Sequence, residues 1–452
     1  MRNQNLKEKI KSSKNALWKR LVFGLLNTEA NVQSHLHWQK KNKNVLAGRL
    51  AFLMLLLAGQ FSEAQSLGLE EVLELGQKNN LVVQSAVLEN KMYSDLKGSA
   101  FELPKTEILA TFGQLNTNAQ DKNFSISQSF SPFQYGAKKK VLVENSNLSQ
   151  LKTGVTKQEI KFNIRQSWNA ILYYSELNKM LKQQNGLMQK FVRSATLRFE
   201  TGETNALEKA TAVAKQQELE QKIKHNDAMI WVEKSKIKTF INQQENFAVR
   251  DTSFVALPTL GILDSTAIAG NASVKVASQQ IQVAQANQKL EKSTLLPDVS
   301  AGYFIQSFTG NQEVNGDVVY YDGSPRFQGF SVGISVPIFA GSTVSKIKAA
   351  KTNIEIQEKN AAYLKLEMQN QYQQQLEQLK TFESQLGYYK NTALENAMLI
   401  SKNAGKAYQN GDISYFEYVQ GLETSLGIRT NYINTVNNFN QTVINLQFLI
   451  NQ

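Results

Sequence analysis

The chain has 452 residues, 42% of them hydrophobic, and no cysteine. A sizeable core is therefore affordable, while a disulfide framework, thiolate metal sites and cysteine nucleophiles are excluded. The formal charge of +12 suggests nucleic acid only until it is mapped: residues 1–49 hold eleven Lys and Arg against Glu8 and Glu29, and residues 65–452 keep a net +4. That remainder is spread over helix faces and makes no phosphate-binding stripe, so no nucleic-acid partner is expected.

In chain order, the first strongly apolar stretch is Leu50 to Ala58. It is too short to span a bilayer as a helix. Lys40, Lys41, Lys43 and Arg49 precede it and Ser62-Glu63-Ala64 follows, the order of a signal peptide cleaved after Ala64. Residues 1–64 are thus expected to be a leader, with a buried helix as the alternative.

From residue 65 the sequence reads as one long unit written twice. Leu103-Pro104 recurs as Leu296-Pro297, Phe124 to Phe133 as Phe330 to Phe339, and Phe199-Glu200-Thr201-Gly202-Glu203 as Tyr408-Gln409-Asn410-Gly411-Asp412. The first repeat covers 65–246, with a hairpin at about 104–133 and a helical tip at about 199–208. A linker, 247–270, leads to the second repeat, 271–452, with its hairpin at about 297–339 and its tip at about 408–417. Period-two alternation predicts strands over 106–112 and 124–130, then 299–308 and 328–339. The stretch Gly310 to Arg326, rich in Asn, Gly and Asp, reads as a longer polar connection.

Placement of the six prolines defines the helices. Pro104, Pro132, Pro297 and Pro337 flank strands, Pro325 lies in the hairpin connection and Pro258 in the linker. None interrupts 133–257 or 338–452, where a helix-interior proline would cost ~3 kcal/mol. Residues 136–200 can form one helix roughly 95 Å long, with Leu148, Leu151, Val155, Ile164, Trp168 and Ile171 at three-and-four spacing. Gly202 and Gly411 suit the left-handed position that ends a helix. Helices over about 204–247 and 413–450 would then return antiparallel; a mere kink is the alternative.

Four strands cannot close a barrel, since small closed barrels need about eight. An exported chain without a transmembrane helix can span a membrane only as a barrel, because every backbone polar group must be satisfied internally. Strands shared between chains meet that requirement; four strands in a soluble sheet are the alternative. Phe124, Phe130, Phe133, Tyr303, Phe304 and Phe339 are candidates for membrane-facing or girdle positions.

Over nearly the whole of residues 66–450 the chain resembles the TolC family of outer-membrane efflux proteins. The resemblance rests on the tandem repeat, on Ser335-Val336-Pro337-Ile338-Phe339 with Gly341, and on Tyr408-x-x-Gly411-Asp412-Ile413-Ser414-Tyr415-Phe416-Glu417. It implies a mainly α protein with β, in which long antiparallel coiled-coil helices form a periplasmic tunnel. Each protomer of a homotrimer gives four strands to a shared twelve-stranded barrel in outer-membrane lipid. It also implies a periplasmic adaptor and an inner-membrane pump as partners. The segment Thr201 to Glu208 is similar to that of members paired with heavy-metal efflux pumps. Matched position by position, Glu417 and its counterpart Glu208 fall where acids narrow the tunnel mouth, and Tyr408 where an aromatic holds the tip closed. Gly202, Gly411 and Asp412 complete this tip or gate set. Gln420 stands where a second acid can occur, and Lys209 adjoins Glu208. An ordinary solvated helix face is the plain alternative for both glutamates.

His35 and His37 lie in the leader and His225 stands alone, so no metal site is expected. Neither a Gly-rich phosphate loop nor a nucleophile elbow appears, and no cofactor or enzymatic activity is predicted. The rival from another class is a soluble periplasmic coiled-coil adaptor or scaffold.

Overall fold

The structure is a computed structural model and describes residues 65–115, 118–259 and 265–451. The predicted leader and its cleavage site lie outside the described residues. No described helix is long and apolar enough to cross a membrane.

A short strand β1 (Gln65–Leu67) opens the described chain, followed by α1 (Leu69–Asn79) and α2 (Leu81–Leu96). Strands β2 (Glu107–Gly113) and β3 (Asp121–Phe130) form the first hairpin. Helix α3 (Pro132–Glu200) then runs 69 residues to the first tip, and α4 (Ala206–Ile241) returns. Pro132 takes the first helical turn of α3, where a missing N–H costs nothing, so the helix begins four residues before the predicted Gly136. At 1.5 Å per residue α3 is roughly 104 Å long. Its buried Ile160, Ile164, Trp168 and Ile171, and farther on Leu181, Met188, Phe191 and Ala195, form one stripe along the helix. Helix α4 stops short of the predicted 247 because Asn242 adopts the left-handed conformation, φ 52°.

The predicted linker contains a strand, β4 (Phe247–Val249), which pairs with β1. After it come α5 (Ala272–Ser293), β5 (Asp298–Val314), β6 (Asp317–Ser335), α6 (Gly341–Tyr388), a π-helical turn at Tyr389–Ala393, α7 (Leu394–Asn410) and α8 (Tyr415–Leu449). Two expectations are corrected here. The polar connection 310–326 is itself strand: β5 and β6 stay paired up to Val314↔Asp317, and only Asn315 and Gly316, at φ 58° and 91°, make the turn. Two successive left-handed residues form the tight turn whose twist matches the flanking strands. At the other end β6 stops at Ser335, ahead of Pro337.

The four long strands form one antiparallel sheet in the order β2-β3-β5-β6. Near it the helices neighbour one another in the matching order α2-α3-α5-α6. Sheet and helices thus make two arcs, one continuing the other. Three hydrophobic clusters hold the helical part: Ile164, Trp168 and Ile237 centre one in the first repeat, Tyr372, Val443 and Leu446 one in the second, and Met188, Phe191 and Leu219 with Ile433 a third that joins the two toward the tips.

Two buried asparagines perform the same task in each repeat. Asn80 caps α2 by accepting from the N–H groups of Val82 and Val83, and its amide donates to the Phe240 carbonyl at the end of α4, 2.9 Å. Asn271 caps α5 through Ser273 N–H and donates to the Phe448 and Leu449 carbonyls at the end of α8, 3.2 and 3.1 Å. Each side chain satisfies backbone groups of two helix ends at once.

Candidate functional site: the strand arc and the paired helical tips

Pairing register sorts the sheet's side chains onto two faces. One row contains Ile108, Ile126, Tyr303 and Phe330, and neighbouring rows of that face add Phe124, Phe130, Val332 and Ile334. All but the half-buried Phe130 and Tyr303 are exposed in the single chain, Phe330 to 86% and Ile108 to 78%. The opposite face carries Ser125, Ser127, Ser129, Ser300, Ser331 and glycines between them. An apolar outer band over a small, polar inner face is the pattern of a membrane barrel. Of the predicted membrane-facing aromatics, Phe124, Phe130 and Tyr303 lie on the apolar face. Phe304 is a correction: it lies on the serine face and covers Gly329, where an added Cβ would stand 2.7 Å from its ring. Phe133 is in the first turn of α3, and Phe339 follows β6 in a loop.

At the far end of the helices, Gly202 and Gly411 take φ 77° and 80°. Both turns use one hydrogen-bond pair. Gly202 N–H donates to Phe199 O and Glu203 N–H to Arg198 O; Gly411 N–H donates to Tyr408 O and Asp412 N–H to Ala407 O. This closes the last carbonyls of each helix while the chain reverses. Asn205 and Ser414 then cap the returning helices by accepting from the N–H groups of Glu208 and Glu417.

The two predicted tip acids have different surroundings. Glu417 folds back on its own helix start, where Ser414 N–H and hydroxyl both donate to it at 2.8 Å. Those donors, the backbone N–H first, hold its carboxyl below the usual range. Glu208 has its side chain only 11% exposed and accepts from Arg198 (3.1 Å), from Thr204 (2.5 Å) and from the Tyr408 hydroxyl (3.3 Å). Arg198 also donates to the Tyr408 oxygen, 3.0 Å. Glu208, Arg198 and Tyr408 therefore join the first tip to the second within one chain. Asp412 is exposed in the second turn.

Above this triad the aromatic rings interlock. Tyr408 stacks on Tyr418 (4.8 Å between centroids, 13°) and Phe191 on Tyr415 (4.8 Å, 9°). Burial first, and then the nearby Glu208 carboxylate, push the Tyr415 hydroxyl up to about 12, and push that of Tyr408 in the same direction. Lys215 of α4 meets Glu423 of α8 at 2.6 Å, adding an ion pair between the hairpins. Sequence reading singled out Glu208, Tyr408 and Glu417 but missed Arg198, Phe191, Tyr415, Tyr418 and the Lys215–Glu423 pair. Arg198 sits in the last turn before Gly202, where a cation is favoured by the helix dipole, which was its only local signal.

The two-faced sheet has the pattern of strands that contribute to a membrane barrel. Residues 263–452 match the family model described as outer membrane efflux protein. No curated protein matches the chain in sequence. Among solved structures it is similar to the outer-membrane channel OprN, with TM-score 0.71 and 11% identity over 84% of this chain and 89% of that one. CusC, described through its folding and transmembrane channel formation, gives TM-score 0.69 and 16% identity over 86% and 96%. The CmeC outer membrane channel of Campylobacter jejuni gives 0.67 and 14% over 84% and 85%. Identities this low carry the fold alone; the second repeat carries the family's sequence. The second repeat thus matches the outer membrane efflux protein family, and the chain as a whole has the fold of these channels.

Proposed function

We propose that three copies of the chain close one barrel and one helical tunnel, giving passive exit for substrate delivered by an inner-membrane pump through a periplasmic adaptor. One observation carries this reading: both arcs are open at matching edges. Among the described residues β2 and β6 each have an unpaired edge, which membrane cannot tolerate. The edge helices beside them expose apolar side chains, Leu81, Leu88 and Met92 on α2 and Ile356, Tyr363 and Leu366 on α6. Joining β6 and α6 of one copy to β2 and α2 of the next covers both. The number three comes from the family resemblance. Twelve strands at 4.8 Å spacing and a tilt of about 40° give a barrel radius of roughly 12 Å.

In this reading the tips are the periplasmic gate, and the two acids act differently. Glu208 is engaged by Arg198 and Tyr408 and holds the hairpins together; Glu417, exposed on a capped helix start, contributes charge to the mouth. The test starts with the mass of the detergent-solubilised protein from the outer-membrane fraction, by light scattering with detergent subtracted. A monomer or dimer there would overturn the shared barrel. On trimers in planar bilayers, Glu417→Ala should lower cation preference, read as a shifted reversal potential, while Glu208→Ala should raise the open fraction. Unchanged behaviour of both variants would remove the gate assignment.

A further inference from the structure

The second hairpin is much taller than the first. The β3–β5 pairing ends at Asn123↔Gln306, yet β5 and β6 continue as a two-stranded ribbon to the turn at Asn315-Gly316. The eight residues 307–314 reach about 27 Å beyond the four-stranded sheet. At its root β6 carries two bulges, opposite Gln306/Ser307 and Ser307/Thr309, and bulges bend and twist a ribbon. Gly323 lies within the second at φ 78°, and a Cβ there would stand 2.5 Å from the Thr309 hydroxyl. The root is anchored to β3: Lys122 N–H donates to the buried Ser307 hydroxyl, 2.8 Å, and Thr309 N–H to the fully buried Asp121 carboxylate, 3.1 Å.

The extra residues fall in β6, and β5 stays in register with it from Gly310, at φ 136°, to Val314. The even-numbered residues of β5 continue the serine face that the barrel reading turns toward the pore. On that side, however, the ribbon is apolar. Phe308, Tyr321 and Phe327 form one aromatic cluster with centroids 5.0–6.3 Å apart. Nearer the turn come Val319, 40% exposed and paired with Gln312, and Val314, 37% exposed and paired with Asp317. The other face holds the acids Glu313 and Asp322 together with the exposed Val318 and Tyr320; Asp317, at the turn, is the acid on this one. The pore side thus changes from serine and glycine to Phe, Tyr and Val on leaving the membrane; its three aromatics cover one another in part, and Val314 and Val319 remain exposed within one chain. Three such ribbons stand on one barrel whose radius, roughly 12 Å, is less than half a ribbon's length.

We propose that the three β5–β6 ribbons lean together over the outer mouth, each packing its apolar pore-side face against those of its two copies, as a resting closure at the extracellular end. This rests on the trimeric barrel proposed above. It is an interaction surface for a second copy of this chain, separate from the periplasmic tips.

The absence of cysteine makes the test direct. Val314→Cys is introduced into the full chain in outer membranes and treated with a bis-maleimide, to which thiols add across the ring double bond without any co-reactant. Bands of two and three linked protomers are expected. In parallel, Ser300→Cys on the pore face is labelled on intact cells with a polymer-linked maleimide. This is done in the full-length ribbon and in a variant whose residues 310–321 are replaced by an Asn-Gly turn. Labelling should be about tenfold faster in the shortened variant, as for removal of a closing lid. With the trimer mass intact, unlinked Val314→Cys protomers and equal labelling rates would overturn the closure while leaving the barrel standing. Loss of the trimer itself would instead overturn the barrel reading and the closure with it.

Discussion

The two repeats build their periplasmic turns with one backbone and two chemistries. Positions 209 residues apart correspond: Gly202 with Gly411, Asn205 with Ser414, Glu208 with Glu417. Turn hydrogen bonds and helix caps are the same in both. Side chains around them are not. Where the second repeat stacks Tyr408 on Tyr418, the first places the Lys209 ammonium over the Phe199 ring at 5.2 Å. Where the first has Arg198, the second has Ala407, and only Glu208 finds a cation. The difference teaches that turn geometry is a local property any copy of the unit can keep. The bond between tips needs two unlike partners, and a duplicated sequence obtains those only by diverging.

The asparagine staples test this division most severely. Asn271→Ala removes a cap and strands the Leu449 carbonyl, a loss of about 2 kcal/mol, because Phe448 O keeps Gln158 and the Asn451 N–H. Asn80→Ala strands one carbonyl and should cost about 2 kcal/mol. Thermal melts of the solubilised protein should show matched losses, and a clear inequality would mean the two staples are not equivalent. Arg198→Ala comes next. It leaves Glu208 with hydroxyl donors alone, weakening the tip contact by about 2 kcal/mol and raising the open fraction roughly thirtyfold. Ala407→Arg, at the matching position, should leave conductance unchanged; a comparable opening there would erase the distinction between the tips. The smallest effects are expected at the glycines. Gly202→Ala and Gly411→Ala each force a Cβ into the left-handed region at about 1 kcal/mol. Limited proteolysis at the two turns should respond equally, and a clear inequality would show that the shared backbone is not equally strained.

Local rules reached some of this from sequence and stopped at long range. Pro132 and Pro337 bracket the strand-to-helix passages, and Gly202 and Gly411 mark the turns, because proline and glycine act through their own backbone. The ribbon was hidden: Gly310, Asn311, Asn315, Asp317, Gly323 and Pro325 have loop composition, and pairing with a regular partner strand overrides that propensity. Asn315-Gly316 was the signal to weigh, since this dipeptide favours a two-residue hairpin turn. Arg198 with Tyr408, and Asn271 with Phe448, are separated by 210 and 177 residues. No spacing rule reaches across such a distance. The π-helical turn at Tyr389–Ala393 has no counterpart in α3, and nothing in its sequence accounts for it.

The contact between α3 and α8 contains many amides. Gln158 meets Phe448 O, Arg165 meets Gln447, Gln166 meets Asn445, Asn169 meets Asn437 and Asn440, and Tyr173 meets Asn434. Leucines in the same places would grip equally well after a slip of one turn, about 5.4 Å, whereas paired amides and hydroxyls match in one alignment only. The seam works like the teeth of a key: it fixes the level at which the two tips meet. A deletion in α3 between Tyr173 and Arg198 would therefore be felt at the tips, unless α8 were shortened to match between Tyr415 and Asn434.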